Sequence, residues 1–381
     1  MVTLMTMRGK LQVGLMFGGR SGEHEVSLMS ARSILGALDK EKYEVTQIGI
    51  KHDGSWLVGD GALESMTSGS ESKLINAVLL PDPNRAGLYG LTTAPGAGEV
   101  VERITSLDVI FPALHGTFGE DGAMQGLFEL NGVAYVGSGV VGSAVGMDKG
   151  IFKDVMRANN IPVVESMLIL RSELEKDMPA VLEQAESLVP SNPYPLFVKP
   201  ANLGSSVGIS KCRNRSDLVE GLMEAARFDR RLLIERGVNA REIEVSVLGN
   251  EHPEASVAGE VVPSRDFYSY EAKYIDGSSD LLIPAPISKE LSEKVRSLAV
   301  QAFKVIDCAG MARADFLLDK ESGEVFLGEI NTLPGFTTIS MYPKLWAASG
   351  LAYADLVDRL IELALERKAD KDRIEHKFQR E

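Results

Sequence analysis

The stretch Arg313–Thr337 constrains the fold most. It holds two apolar runs separated by the polar turn Lys320–Gly323. That pattern predicts a β-hairpin, and Gly323 suits a turn position with positive φ. Successive strand residues point to opposite faces. Glu329 and Asn331 therefore share one face, with Ile330 on the other. The hairpin brings Asp315 into the neighbourhood of Glu329, in a register the sequence does not fix. Two carboxylates and an amide oxygen beside Arg313 form a hard oxygen cluster. Mg²⁺ suits such a set, completing its shell with waters and phosphate oxygens. A solvated strand face with incidental acids is the plainer alternative. The exit Asn331-Thr332-Leu333-Pro334-Gly335 is unusual after a strand and favours a site.

The chain has 381 residues, more than one ordinary core accommodates, so two or three domains are expected. The formal net charge of −14 argues against general nucleic-acid binding. No apolar run approaches the roughly 20 residues that span a membrane. Met1–Lys10 lacks a signal-peptide core. Cys212 and Cys308 are isolated, as buried thiols of a reducing cytoplasm would be.

Leu11–Phe17 reads as an apolar strand ending in the glycine turn Gly18–Gly22. A helix to about Leu38 and a strand Tyr43–Ile50 complete a βαβ start. Ligands in such sheets sit beyond the carboxyl ends of the strands. Glu23 and Glu25 fall there, although first-turn acids also satisfy a helix dipole. Gly59–Gly98 reads as an irregular excursion with a small hairpin. Leu107–Pro112 is a buried strand leading into His115-Gly116 and Gly119-Glu120-Asp121-Gly122. His115 is either a satisfied loop histidine or a ligand contact. Gly137-Ser138-Gly139-Val140-Val141-Gly142 matches the dinucleotide fingerprint, with Glu165 downstream. It opens a fourth strand-like unit and not a first one, which argues against a nicotinamide oxidoreductase.

Lys149 opens the next helix. Lys199 ends the apolar strand Pro195–Pro200, where an unpaired lysine is costly and a phosphate would compensate it. Ala201–Ser210 follows, small and hydroxyl-rich, including Ser205 and Ser206. Such a loop lets backbone N–H groups approach an anion, but it lacks the Walker A ending. Ser216–Phe228 is expected as a helix capped by Ser216. The strand Arg231–Glu235 could present Glu235 to a base or ribose. Glu242–Leu248 reads as a half-buried strand. Pro263–Pro284 is long, polar and aromatic, as lids are. Lys289–Asp307 and Tyr353–Lys368 read as helices, with a frayed tail beyond.

Six motifs occur in order: His-Gly-x-x-Gly-Glu-Asp-Gly (115–122), Met-Asp-Lys (147–149), Val-Lys-Pro with Gly-Ser-Ser-Val-Gly (198–208), Glu-Ala-Lys-Tyr (271–274), Arg-Ala-Asp-Phe (313–316) and Glu-Ile-Asn-Thr-x-Pro-Gly (329–335). With them the chain resembles the D-alanine–D-alanine ligase family of the ATP-grasp superfamily, over roughly Leu11–Glu366. The resemblance implies an α/β and α+β protein. An amino-terminal parallel-sheet domain (1–146) would precede a two-subdomain ATP-grasp fold (147–235 and 236–381). It implies a cytoplasmic homodimer that joins two D-alanines for peptidoglycan, using ATP and two Mg²⁺ (or Mn²⁺).

By resemblance, Glu23 holds the first ammonium and His115 contacts that substrate. Lys149 and Lys199 hold ATP phosphates, under a loop containing Ser205 and Ser206. Glu235 and Glu242 contact adenine and ribose, and Lys273 and Tyr274 belong to the lid. Arg313 stabilises the oxyanion, Asp315, Glu329 and Asn331 ligate metal, and Gly335 and Ser340 flank the second D-alanine. Tyr274, linked through Ser205 to Glu23, favours the dipeptide over D-alanyl-D-lactate. Arg236 stands where many relatives have lysine, and Leu333 where they have serine or methionine. A non-catalytic ATP-grasp module would have lost charged site residues, and none is missing.

Overall fold

The computed structural model describes residues 9–69, 74–94, 98–204, 207–262, 280–337 and 339–375. Ser205, Ser206, Lys273, Tyr274 and most of the expected lid lie outside these residues.

The chain opens with β1 (Leu11–Gly18), α1 (His24–Ala37) and β2 (Tyr43–Ile50). β1 and β2 run parallel from Leu11↔Tyr43 to Gly18↔Ile50. The apolar run from Val13 to Phe17 is buried apart from none of its side chains, as a strand covered on both faces requires. The segment expected as an irregular excursion with a small hairpin is, in its described residues and flanks, regular structure. It forms β3 (Trp56–Val58), α2 (Ala62–Ser68), β4 (Ile75–Leu79), β5 (Leu88–Ala94) and β6 (Gly98–Thr105). These strands extend the sheet antiparallel, beyond β2. β6 is exposed along nearly its whole length, so no inside–outside alternation marks it in the sequence. β7 (Val109–Pro112), α3 (Ala123–Asn131) and the short β8 (Ala134–Tyr135) complete the parallel half. The sheet order is β6-β5-β4-β3-β2-β1-β7-β8.

Two helices follow, α4 (Val140–Met147) and α5 (Lys149–Ala158). The fingerprint glycines serve packing. A Cβ on Gly137 would lie 2.7 Å from Leu333, and one on Gly142 2.9 Å from the Asp307 carbonyl. They let the entry to α4 approach Leu333 and Asp307 closely, so the local pattern does not mark a dinucleotide site.

A four-stranded antiparallel sheet comes next, from β9 (Ser166–Leu170), β10 (Leu196–Pro200), β11 (Ser210–Cys212) and β12 (Arg231–Arg236), in the order β11-β10-β12-β9. Its helices are α6 (Arg171–Lys176), α7 (Met178–Glu186), with Pro179 in the first turn, and α8 (Arg215–Ala225). The cap of α8 is Asn214, not Ser216: Asn214 Oδ1 accepts from the Asp217 N–H at 3.0 Å. Asp217 reciprocates by accepting from the Arg213 N–H at 2.8 Å and Asn214 Nδ2 at 2.9 Å, which fixes the start two residues early.

A five-stranded antiparallel sheet closes the series. It contains β13 (Ala240–Gly249), β14 (Glu254–Val262), β15 (Asp280–Leu282), β16 (Gly310–Asp319) and β17 (Val325–Asn331), with α9 (Lys289–Val305) before the hairpin. After α10 (Met341–Ala348), the last helix α11 (Tyr353–Lys371) returns to the first sheet. Leu356, Val357, Leu360 and Ile361 share a core with Val13, Leu15 and Phe111. Each such burial contributes on the order of 1.5–3 kcal/mol. First and last segments therefore hold one another, and the clefts between sheets keep a fixed floor. Both thiols are buried, and burial pushes Cys212 up to about 11 and Cys308 up to about 12.

Candidate active site

The hairpin register places Asp315 directly opposite Glu329, and Arg313 opposite Asn331. Gly323 takes φ 72° in the turn, as its sequence position requires. The Arg313 guanidinium grips Asp315 with two bonds of 2.7 Å. Asn331 Nδ2 donates to the same carboxylate at 3.0 Å. Arg313 Nε also lies 2.8 Å from Glu244, a buried acid on β13 opposite Asp315. Glu244 was not singled out in the sequence. The signal was present: in Glu242-Ile243-Glu244-Val245 both acids must share a face.

α5 joins this cluster to a second one. Asp148 caps the helix, accepting from the Ile151 N–H at 2.9 Å. The Lys149 backbone N–H donates to the Ala201 carbonyl at 3.0 Å, and its Nζ donates to the Leu203 carbonyl at 2.8 Å. The same ammonium stands 3.8 Å from Glu329. One turn later, Lys153 Nζ lies 2.7 Å from Glu235, whose other oxygen pairs with Lys199. Burial alone would raise the Glu235 carboxyl, but the two ammonium groups pull it down to about 2. Burial lowers Lys153, and Glu235 opposes that shift. Lys153 was also missed, because a lysine in an amphipathic helix reads as surface.

The third group surrounds Glu23 at the start of α1. Ser21 Oγ donates to the His115 carbonyl at 2.8 Å and accepts from the Glu23 N–H at 3.2 Å. The His115 ring bridges Ser30 Oγ at 3.0 Å and the Leu333 carbonyl at 3.2 Å. Both nitrogens are thus engaged, and burial lowers the ring's pKa, so the imidazole is neutral near pH 7. It ties the first sheet to the hairpin exit. Gly116 has φ 74°, and a Cβ there would lie 2.8 Å from Glu23 Oε2. Glu120 accepts from the Gly116 N–H at 2.9 Å. Burial, and then the Glu23 charge, push Glu120 up to about 8, so it carries a proton at neutral pH. A Cβ on Gly204 would be 3.2 Å from Glu23, so the small-residue loop reaches the same carboxylate.

These groups meet in a cleft of about 680 Å³. Glu23, His115, Lys149, Arg313, Glu329, Asn331 and Gly335 line it. Asp315 is bonded to two of those wall residues. Lys199, Glu235, Glu242 and Ser340 do not line this cleft. Lys199 and Glu235 pair beyond it, and Glu242 lies two residues before Glu244 on β13. Ser340 Oγ accepts from the Thr337 N–H at 2.9 Å just before α10, and a Cβ on Gly335 would lie 3.0 Å from it. The set Asp315, Glu329 and Asn331 fits a hard cation: Glu244, Asp315 and Glu329 together outnumber the cations Arg313 and Lys149 beside them.

Residues 12–138 match the family described as D-ala D-ala ligase N-terminus, and residues 155–362 that described as D-ala D-ala ligase C-terminus. The D-alanine–D-alanine ligase of Natranaerobius thermophilus is 49% identical over 365 residues, covering 96% of this chain and 97% of the relative. That of Heliobacterium modesticaldum is 48% identical over 364 residues, covering 96% and 97%. Among solved structures, the D-alanine-D-alanine ligase from Coxiella burnetii is 35% identical with a TM-score of 0.78, covering 96% of both chains. A D-Ala:D-Ser ligase from Enterococcus faecalis is 32% identical with a TM-score of 0.81, covering 93% of this chain and 99% of its own.

Proposed function

The chain belongs to the D-alanine–D-alanine ligase family, and on that premise we propose that it joins two D-alanines with ATP in the cleft between its three sheets. The observation that carries the reading is the meeting of Glu23, Lys149 and the Arg313–Asp315–Glu329 group around one cavity.

A carboxylate is a poor acceptor for an amine, so it must first be activated. The carboxylate oxygen of the first D-alanine attacks the γ-phosphorus of ATP, and the bond to the ADP oxygen breaks. Lys149, fixed by the Leu203 carbonyl and near Glu329, is positioned to balance charge on the transferring group. Lys199 serves the phosphates from the strand end, and Ser205 and Ser206 cover them. Asp315, Glu329 and Asn331 would hold two Mg²⁺ (or Mn²⁺), which neutralise phosphate charge when bound. Glu235 and Glu242 orient the nucleoside, Glu235 acting through its two lysines.

The acyl phosphate then meets the amine of the second D-alanine, placed by Gly335 and Ser340. A C–N bond forms, the amine gives up a proton, and phosphate leaves. Arg313 stabilises the tetrahedral oxyanion. Its clamp to Asp315 and Glu244 fixes it before charge develops, which is the condition for strong electrostatic stabilisation. Glu23 and His115 hold the first substrate. By the family likeness, Lys273 and Tyr274, outside the described residues, would serve to keep water from the acyl phosphate.

The division 1–146, 147–235 and 236–381 is part of the proposal; the three separate sheets support it, and α11 shares a core with the first. No helix among the described residues is long and apolar enough to cross a membrane. A cytoplasmic homodimer fits the two buried free thiols and the small substrates.

The likeness to a D-Ala:D-Ser ligase makes the second substrate the point to test. Incubation with ATP, Mg²⁺ and a mixture of D-alanine, D-serine and D-lactate, followed by mass analysis, gives the product ratio. We expect D-alanyl-D-alanine to dominate near neutral pH. Mostly D-alanyl-D-serine or the D-lactate ester would contradict the dipeptide assignment.

A further inference from the structure

The turn that carries Glu23 leads into a second set of ligating side chains, none of which lines the cleft. His24 and Glu25 begin α1, and His52 stands on the turn after β2. One ligand atom from each lies within 4.8 Å of the others. His24 is buried, and its Nδ1 lies 2.9 Å from the Gly19 carbonyl. A carbonyl only accepts, so Nδ1 carries the proton and Nε2 keeps its lone pair. This backbone anchor is the arrangement that fixes the tautomer of a metal-binding histidine. The ring lies close to the Gly18 backbone, where an added Cβ would come within 3.1 Å of His24 Cε1 and 2.2 Å of the Ile50 carbonyl, so glycine leaves the ring its place. The His52 ring stacks on it at 3.8 Å and 25°.

Glu25 adds a carboxylate beside the two rings. The neighbouring cations have other partners: Arg20 lies over the Phe118 ring at 5.5 Å, and Lys51 pairs with Asp53 at 3.9 Å.

We propose that His24, Glu25 and His52 bind one borderline divalent cation of the Zn²⁺ class, with a fourth position open to water. Zinc with nitrogen and oxygen ligands at about 2.0–2.2 Å places tetrahedral donors about 3.4 Å apart. Ring lone pairs lie in the ring planes, so the exposed His52 would turn out of its stack, and the exposed Glu25 toward the fixed His24, to share one ion. Two of the three donors are imidazoles, which Mg²⁺ does not favour. The bound ion would fasten the start of α1 to the turn 51–55, and Glu23 adjoins its first ligand. The site therefore stiffens the segment that presents the first-substrate carboxylate.

The test is calorimetric titration of the full-length protein with Zn²⁺ in a large excess of Mg²⁺, which occupies the oxygen cluster. We expect one Zn²⁺ per chain. His52→Ala and Glu25→Gln should each weaken it on the order of 10- to 100-fold. Both residues are exposed, and unchanged melting in EDTA verifies that the variants fold. Co²⁺ should give a visible ligand-field spectrum with the wild type that His52→Ala loses. No Zn²⁺ uptake by the wild type above excess Mg²⁺, or equal affinity in His52→Ala, would overturn the proposal.

Discussion

The two charged groups that α5 joins differ in composition and in exposure. On the five-stranded sheet, Glu244, Asp315 and Glu329 surround one arginine, with Lys149 at 3.8 Å from Glu329. On the side of the four-stranded sheet, Lys153 and Lys199 share one carboxylate, Glu235. The first group is acid-rich and the second base-rich. Exposure separates them further: the Glu329 side chain is 35% exposed, whereas Lys153 is 1%. A group that must take up and release ions needs access, and a largely buried trio in which two lysines share one carboxylate holds shape. Under the proposed function, cation and reaction chemistry would fall to the hairpin, and a fixed positive potential for phosphates to the trio.

Substitutions should therefore separate activity from stability. Glu329→Gln removes an exposed acid from the reacting group. We expect turnover to fall on the order of 10³-fold, with unfolding free energy changed by less than about 1 kcal/mol. Phosphate release and denaturant unfolding measure the two effects. Near-normal turnover at saturating Mg²⁺ would break the assignment of the acid-rich group.

Glu235→Gln should show the other pattern. It leaves two lysines facing one another, one of them fully buried, at a cost of about 3–5 kcal/mol. The pH dependence has a definite sign. The native carboxyl titrates near 2 and the unfolded one near the model value 4.5, so its contribution is complete above about 4.5. It is lost as pH falls toward 2. Acid unfolding of the wild type should be steeper over that window than that of Glu235→Gln. Equal profiles would place the stabilisation elsewhere.

The smallest effect sharpens the comparison on the substrate side. Glu120 titrates near 8 in the native protein, against 4.5 for the model carboxyl. The native state holds a proton that the unfolded state releases, so stability falls as pH rises from about 4.5 to about 8. Glu120→Gln should flatten that decline in melting temperature. An unchanged slope would mean that Glu23 and Glu120 do not share charge as the geometry requires.

Features set by local chemistry were readable before the structure. The turn at Gly323 and the two strands of the hairpin follow from backbone preferences of single residues. The pairing of Asp315 with Glu329 was not readable, because the register shifts between Asp315 and Phe316. The antiparallel wing was missed since β6 buries neither face and its ladder is held by backbone bonds to β5. Ser216 lost the cap to Asn214 because Asp217 sits three residues after Asn214 and completes a reciprocal pair. Lys153 reads in sequence as a surface lysine, and Glu244 as a second acid on a strand face. Their partners, Glu235 and Arg313, are far away in sequence, and only the packing of α5 and β13 supplies them.

Phosphate release with ATP and Mg²⁺, compared between D-alanine and L-alanine, tests the central claim most directly. The account predicts rapid release with D-alanine, little with L-alanine, and D-alanyl-D-alanine accumulating in step with phosphate. Equal release with both enantiomers, or release without the dipeptide, would contradict it.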